Sequence, residues 1–406
     1  MSALLKNRRD VGLLLGPVFY EFCCRLRWLT AGLSPEKEAL LFMARGGLRL
    51  QYLFDLFLKV NDLEMPIRRM PLWISRFAAV KMTFAENPEL AVANLVREFS
   101  ICPCRILADA LLPGAVCPEK PQLTATLPPD LAEAPVGREN VFRLFHADCP
   151  FSQALRRHFQ EQHDISCAFF EKQFGAFGTL HLVDSGWFGS TVGSLQTGFP
   201  RWRWDGFFFG RWNYRNDVPW YFHDIIGLMI DAVGLKGKNP VDIFLEYHHL
   251  LESVLEPDLP STEYYLPEGR SNAELPGWEA RVEGTGTEPD EMWEGVKAYF
   301  LSRPSVSLGA CTKATAEVLK IWKRLLRYPT PAEARLLEVP PRSADFGKNA
   351  ATPVFFAPMP PLRDRWRTTW SLWPAGAIAV SGVRGVRLRQ LLWHLGRKLS
   401  DYRGAV

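Results

Sequence analysis

The 406-residue sequence predicts an α/β fold with a parallel sheet, a loop-rich insertion over about 102–140 and a helical C-terminal portion. Three observations lead there. Short apolar runs end abruptly in glycine or polar residues, as in "LLFMARGG" and "LHLVDSG". Helical periodicity follows each run, giving the strand–helix–strand rhythm of a parallel sheet. Hydrophobic residues make up 47% and charged residues 23%, enough apolar side chains for a sizeable core and too many for global disorder.

Taken in order, residues 13–32 read as a helix entered through Gly16-Pro17, with Phe19, Phe22, Cys23 and Leu26 on one face. A strand follows over 39–43, then a turn at Arg45-Gly46-Gly47 and a helix. "MPLWISRFAAVKMTF" repeats the scheme, with a strand over 72–75. The stretch 102–140, rich in Pro, Cys and Ala, reads as loops, and helical pattern returns over 140–173. The next strand, 180–183, ends in Asp184 and a glycine-hydroxyl loop. "RWRWDGFFFGRW" and "WYFHDIIGLMI" read as strands, and a helix carrying Glu246 and Glu252 comes after them. A Pro/Gly/Glu/Thr stretch near 268–290 marks a boundary between a domain over 1–270 and a C-terminal portion over 271–406. The latter holds helices near 290–301 and 312–327 and a basic helix over 384–400.

A net charge of +4 lends no support to a nucleic-acid partner. Eight cysteines form no paired CxxC spacing, so no tetrahedral zinc site is expected from them. The apolar stretch over 11–22 is too short to span a bilayer and carries Glu21. No secretory signal is evident, so a soluble cytoplasmic chain with reduced thiols is the expectation. Fourteen tryptophans suit large cores, sugar-binding surfaces or membrane interfaces.

Ligands of open parallel sheets bind beyond the carboxyl ends of the strands. Three such ends carry polar chemistry: Arg45-Gly46-Gly47, Ser75-Arg76, and Asp184-Ser185-Gly186-Trp187 through Gly189-Ser190-Thr191. The last opens a helix, whose free N–H groups and dipole attract phosphate. Glycines let backbone approach the ligand, and Ser190 and Thr191 add hydroxyl donors. Asp184 would repel a phosphate, so its better partner is a sugar diol. Arg45 offers a fork of donors for a second anionic group, and Arg76 another charge. Phosphate on one side and diol on the other describe a phosphorylated sugar. The bland alternatives are a helix-capping Asp184 and an Arg45 paired with Asp55 or Glu38. Lone histidines, including His181, read as core or surface residues.

These motifs resemble known ones. The acid, small residues and Gly-x-Thr after a strand look like the ribose-phosphate loop of phosphoribosyltransferases, and Arg45-Gly46-Gly47 looks like their pyrophosphate loop. That family usually has two adjacent acids, whereas here Asp184 stands between Val183 and Ser185. A closer resemblance runs over about 13–375. "LGPVFYEF", "LLFMARGG", "LWISRFA", "VDSGWFGS", "LLESVLEPDLPSTEYY" and "YPTPAEARLL" resemble, in that order, the region attached to predicted haloacid-dehalogenase-type hydrolases of bacterial polysaccharide clusters. That region is similar to phosphoribosyltransferase-type glycosyltransferases, which build ribofuranose into capsules and O-antigens; where its first loop commonly reads Arg-Asp-Gly, Gly46 stands here.

The resemblance implies a phosphoribosyltransferase-like sheet and transfer of 5-phosphoribose from phosphoribosyl pyrophosphate (PRPP) to a glycan hydroxyl. Mg2+ would be bound mainly through PRPP. It implies pyrophosphate contacts from Arg45, Gly46, Gly47 and Arg76, a ribose contact from Asp184, and a 5-phosphate cradle at Gly189, Ser190 and Thr191. Glu252 is the first choice of base, with Asp205 and His223 as alternatives. A nucleotide-sugar glycosyltransferase and a non-catalytic glycan-binding or scaffold protein are the rival readings. No Asp-x-Asp follows an apolar strand, so the 5-phosphate is expected to need a separate haloacid-dehalogenase-type phosphatase as partner. Finally, "VRGVRLRQLLWHLGRKLSDYR" puts Val386, Leu391, Leu395 and Leu399 near one helix face among Arg384, Arg387, Arg389, Arg397 and Lys398. That pattern suits peripheral contact with the inner face of an anionic membrane, where a lipid-linked acceptor would sit.

Overall fold

A computed structural model describes residues 5–99, 102–213, 218–233, 239–285, 290–343, 351–352, 354–355, 371–381 and 385–403. Five strands form one sheet: β1 (Glu38–Met43), β2 (Arg68–Leu72), β3 (Thr179–Trp187), β4 (Arg203–Asn213) and β5 (Ile225–Val233). Their order is β2-β1-β3-β4-β5 and every neighbouring pair is parallel. The fold is therefore α/β, as the sequence rhythm predicts.

Alternation along the strands explains why both faces are covered. Leu40 and Phe42 of β1, Val183 of β3, and Phe207 and Phe209 of β4 enter one core. Their neighbours Ala39, Leu41, Leu182 and Phe208 enter the other. On the first face lie α1 (Arg8–Thr30) and α2 (Gly46–Val60). On the second lie α3 (Arg76–Thr83) and, further along, two long-range contributors described below. α1 starts at a capping box, with Asn7 and Asp10 bonding each other's backbone N–H groups.

The expected strand over 72–75 is displaced: β2 ends at Leu72, and Ser75 caps α3. β2 is the sheet edge, where Arg68, Arg69 and Pro71 are tolerated because one side needs no ladder bonds. Nor is 102–140 a loop insertion. After α4 (Pro88–Phe99) come α5 (Cys104–Leu111), α6 (Lys120–Thr124), α7 (Pro129–Ala132) and α8 (Arg138–His146). They share a core with Leu95, Leu107, Leu111, Leu131 and Phe145. The prolines that suggested loops stand at helix starts, where the missing N–H costs nothing. The helical pattern over 140–173 divides between α8 and α9 (Pro150–Phe174). α9 and α10 (Ser190–Gly198) complete the second face. "WYFHD" is a 3-10 turn, Trp220–Asp224, that leads into β5 rather than part of the strand.

Another 3-10 turn, Pro240–Glu246, precedes α11 (His249–Leu255), so Glu246 and Glu252 belong to separate elements. The Pro/Gly stretch holds α12 (Trp278–Glu283). Beyond it, α13 (Glu291–Leu301) and α14 (Leu308–Arg327) pack on α1, so the main core runs across residue 270. α15 (Pro331–Leu336), α16 (Pro374–Val380) and α17 (Val386–Arg403) close the chain. Among the described residues no helix is long and apolar enough to cross a membrane.

Candidate functional site

The strand order reverses direction between β1 and β3: β2 lies on one side of β1, and the later strands on the other. In a sheet wound this way the crevice beyond the carboxyl ends at that switch point is the ligand site. Phe42 is paired with Val183, so the segment from Ala44 to Gly47 leaves the sheet beside the segment from Asp184 to Trp187, where β3 runs on past β1 while still paired with β4. Two of the glycine-bearing loops singled out in the sequence thus converge.

Their contact is close. A Cβ on Gly46 would stand 3.2 Å from Ser185 Oγ and 3.4 Å from Asp184 Oδ1. A side chain at 46 would therefore crowd the Ser185 hydroxyl and touch the Asp184 carboxylate. On Gly47 a Cβ would meet the Val183 carbonyl at 2.6 Å, so this glycine lets α2 start directly over β3. Gly189 takes φ +74 as the N-cap of α10, a left-handed turn that L side chains rarely adopt. It turns the chain so that Ser190 and Thr191, both buried, open the helix.

Asp184 is the electrostatic anomaly. Burial pushes its carboxyl up to about 7 from an ordinary value of 3.8, and the nearby Glu256 and Glu252 push the same way. Backbone N–H groups of Ser185 and Gly186 oppose the shift without cancelling it. Ser185 Oγ stands 3.5 Å from Asp184 Oδ1, the outer limit of a hydrogen bond. Asp184 lies inside β3 and does not cap a helix.

Arg45 pairs with Glu256 at 3.3 Å, whereas Asp55 takes Arg69 at 2.8 Å and Glu38 takes His181 at 3.3 Å. Glu252 is held at both oxygens: Trp187 donates its indole N–H to Oε1 at 2.8 Å, and His249 Nδ1 lies 3.1 Å from Oε2. α11 is itself anchored from below. Buried Arg49 donates to the Val254 carbonyl at 2.6 Å and to Asp290 at 2.7 Å, with Trp293 under its guanidinium. A helix from far along the chain therefore reaches both strand tips, bringing Glu256 to one and Glu252 to the other.

The remaining candidates divide. Ser75 spends its hydroxyl on structure, accepting from Ala78 N–H at 3.1 Å and donating to the Thr262 carbonyl at 2.5 Å. Arg76 is half-exposed and pairs with Glu98 at 2.8 Å. Asp205 sits 3.6 Å from His181 near the start of β4, at the opposite end of the sheet from Asp184. His223 is exposed in the 3-10 turn before β5.

Sequence reasoning missed Arg97. Its guanidinium reaches Ser190 Oγ at 3.4 Å and lies 5.4 Å from the Phe188 ring, while Glu98 takes its Nε at 2.9 Å. A cation thus stands at the mouth of the α10 turn. Nothing local flags it, because α4 is remote from β3 in sequence and Arg97 reads there as one of several surface arginines. The helix-start hydroxyls, the glycine turn and Arg97 can hold a phosphate; Asp184 can accept from hydroxyls or share a cation. No family model matches the chain, and no curated protein matches it in sequence.

Proposed function

We propose that the crevice between the β1 and β3 tips binds PRPP and that the chain transfers 5-phosphoribose to a hydroxyl of a bacterial polysaccharide acceptor, releasing pyrophosphate. One observation carries this reading: an acid with like-charged neighbours near the end of β3 and a phosphate-suited helix start just after that strand face an arginine-glycine loop across the switch point. The 5-phosphate would sit at Gly189, Ser190 and Thr191 with Arg97. The pyrophosphate would lie along Arg45, Gly46 and Gly47, taking Arg45 from Glu256. Asp184 would accept from the ribose hydroxyls. A five-stranded parallel sheet with a switch point supports a phosphoribosyltransferase-like fold, which is part of the proposal.

The rim of the crevice carries Asp184, Glu252 and Glu256, which suits a magnesium-bearing diphosphate better than a bare one. Mg2+ on the pyrophosphate supplies charge neutralisation for the leaving group. The chain adds Arg45, placed where negative charge grows as the C1–O bond breaks. Glu252, with both oxygens engaged, suits positioning better than proton abstraction.

Location belongs to the same proposal. Leu388, Leu391, Leu392 and Leu395 form an exposed stripe on α17, with exposed Arg387 and Arg389 beside it. The inward side is polar: Gln390 donates to the Pro329 and Ala375 carbonyls, and His394 meets the Arg327 carbonyl. Val386, expected on the apolar outer face, packs on the core instead, and Leu388 and Leu392 take its place. Arg384 and the side chains of Arg397, Lys398 and Leu399 lie outside the described residues. An apolar outer stripe over a polar inner side favours the surface of an anionic membrane, where a lipid-linked acceptor resides.

The test is the product. Incubated with PRPP, Mg2+ and acceptor glycan, the purified chain should add a pentose that keeps its phosphate, because only the C1–O bond is broken and a separate phosphatase acts later. A bare pentose added by this chain alone, or transfer from a nucleotide sugar in place of PRPP, would refute the reading.

A further inference from the structure

Beside the crevice Glu252 converges with two imidazoles for which phosphoribosyl transfer has no use. Glu252 follows His248 by four residues and His249 by three at the start of α11, so each imidazole neighbours its carboxylate. One donor atom from each lies within 4.8 Å of the other two. His249 Nδ1 is 3.1 Å from Glu252 Oε2. Two ligands bound at about 2.0–2.1 Å to a tetrahedral ion stand roughly 3.3 Å apart, so this pair already has the spacing of a shared metal. The other Glu252 oxygen takes the Trp187 indole N–H at 2.8 Å, the kind of outer hydrogen bond that fixes a ligating carboxylate. The His248 ring is set edge-on to Trp187 and Trp212, with centroids 5.4 and 5.8 Å away, and its centroid lies 4.0 Å from that of His249. Two indoles therefore limit where that imidazole can turn.

We propose that His248, His249 and Glu252 bind one divalent transition-metal ion of the zinc class, next to the β3 tip. The inference stands whether or not the crevice takes PRPP. Two imidazoles and one carboxylate favour zinc or cobalt over magnesium, which demands oxygen ligands in near-octahedral geometry. This ion is thus distinct from the Mg2+ carried by PRPP. Three protein ligands leave a fourth position open to water or to a ligand oxygen. The ion takes the place of the proton shared between His249 Nδ1 and Glu252 Oε2, and Trp187 keeps its bond to Oε1. Glu252 then serves as a ligand rather than as the base.

The experiment uses the full chain, stripped with chelator and titrated calorimetrically with Zn2+ and separately with Mg2+. Uptake of one Zn2+ per chain is expected, with Mg2+ bound at least a hundredfold more weakly. Co2+ in place of Zn2+ should give the visible absorption of an ion held by four or five ligands. H249A and E252Q should each weaken Zn2+ by at least tenfold. W187F, which touches the site only through Glu252 Oε1, should weaken it by about tenfold. Cys167 and His163, 3.4 Å apart, are another soft donor pair, so C167S is the control expected to leave the affinity unchanged. Circular dichroism of each variant separates lost ligands from lost fold, and W187F retains all three ligands if H249A does not fold. Absence of stoichiometric Zn2+ uptake by the wild-type chain overturns the proposal. So does uptake that a folded E252Q or H249A variant leaves unchanged, or that C167S abolishes.

Discussion

Two residues of one strand, Leu182 and Val183, separate a buried histidine and a half-buried aspartate with opposite circumstances. His181, near the start of β3, lies between Glu38 at 3.3 Å and Asp205 at 3.6 Å, with the Phe207 ring stacked at 4.6 Å. Burial drives its pKa down, and the two acids pull it back up. Asp184, near the other end, has acids for neighbours, and every nearby charge named in its shift pushes the same way as burial. The first group is answered by the fold; the second is left to be answered by something that binds. Folded chains tolerate such unanswered charge where function requires it.

The strongest way to break this contrast is Asp184→Asn. Charge-assisted bonds to hydroxyls contribute roughly 1.5–3 kcal/mol, so PRPP-dependent turnover should fall about ten- to a hundredfold. Stability should move the other way. The folded chain holds a proton on Asp184 between pH 3.8 and about 7 that the unfolded chain releases. Ionising Asp184 in place therefore costs stability, a cost absent below the lower value and complete above the upper. Melting curves of Asp184→Asn should exceed wild type above pH 7 and converge with it below pH 3.8. Wild-type turnover should rise with pH through about 7 as the carboxylate forms; a flat profile would detach Asp184 from the chemistry.

Arg45→Ala and Arg97→Ala should come next, each lowering kcat/KM by about tenfold through a lost phosphate contact. Arg45→Lys should rescue only part, since an ammonium lacks the planar fork. Inorganic pyrophosphate should protect the wild-type chain from heat more than Arg45→Ala, which a purely structural Arg45–Glu256 pair would not produce.

At the other end, Asp205→Asn should leave kcat/KM per folded molecule within about twofold, because Asp205 pairs with His181 toward the opposite end of the sheet. Equal losses of turnover from Asp205→Asn and Asp184→Asn would erase the distinction. The smallest effect on chemistry is expected from the double change Leu388→Ser and Leu392→Ser. It should weaken flotation with anionic liposomes while soluble-acceptor turnover stays level. Flotation as strong as wild type would exclude the α17 stripe as the contact.

How much of this was legible follows the same division. β1, β3 and β4 are interior strands with apolar runs ending in glycine or an acid, so their tips and Arg45, Gly46, Asp184 and Ser190 could be read directly. β2 is an edge strand with two arginines and a proline, so the apolar signal falls after it and the strand reads as 72–75. The helices over 104–132 hide in a proline-rich stretch, with prolines at the starts of α6 and α7. Arg97, Glu256 and the His248–His249 pair reach the crevice only through tertiary packing, α11 by way of Arg49. No local spacing announces Arg97 or Glu256, whereas the His248–His249 and Glu252 spacing is local and only its place beside the crevice is not.

Calorimetric titration of Mg2+-PRPP into the wild-type chain and into Asp184→Asn at pH 8 tests the central claim most directly. One saturable site per wild-type chain, weakened at least tenfold in the variant, is the predicted result. No saturable heat from PRPP, or equal affinity in the two proteins, would contradict the account.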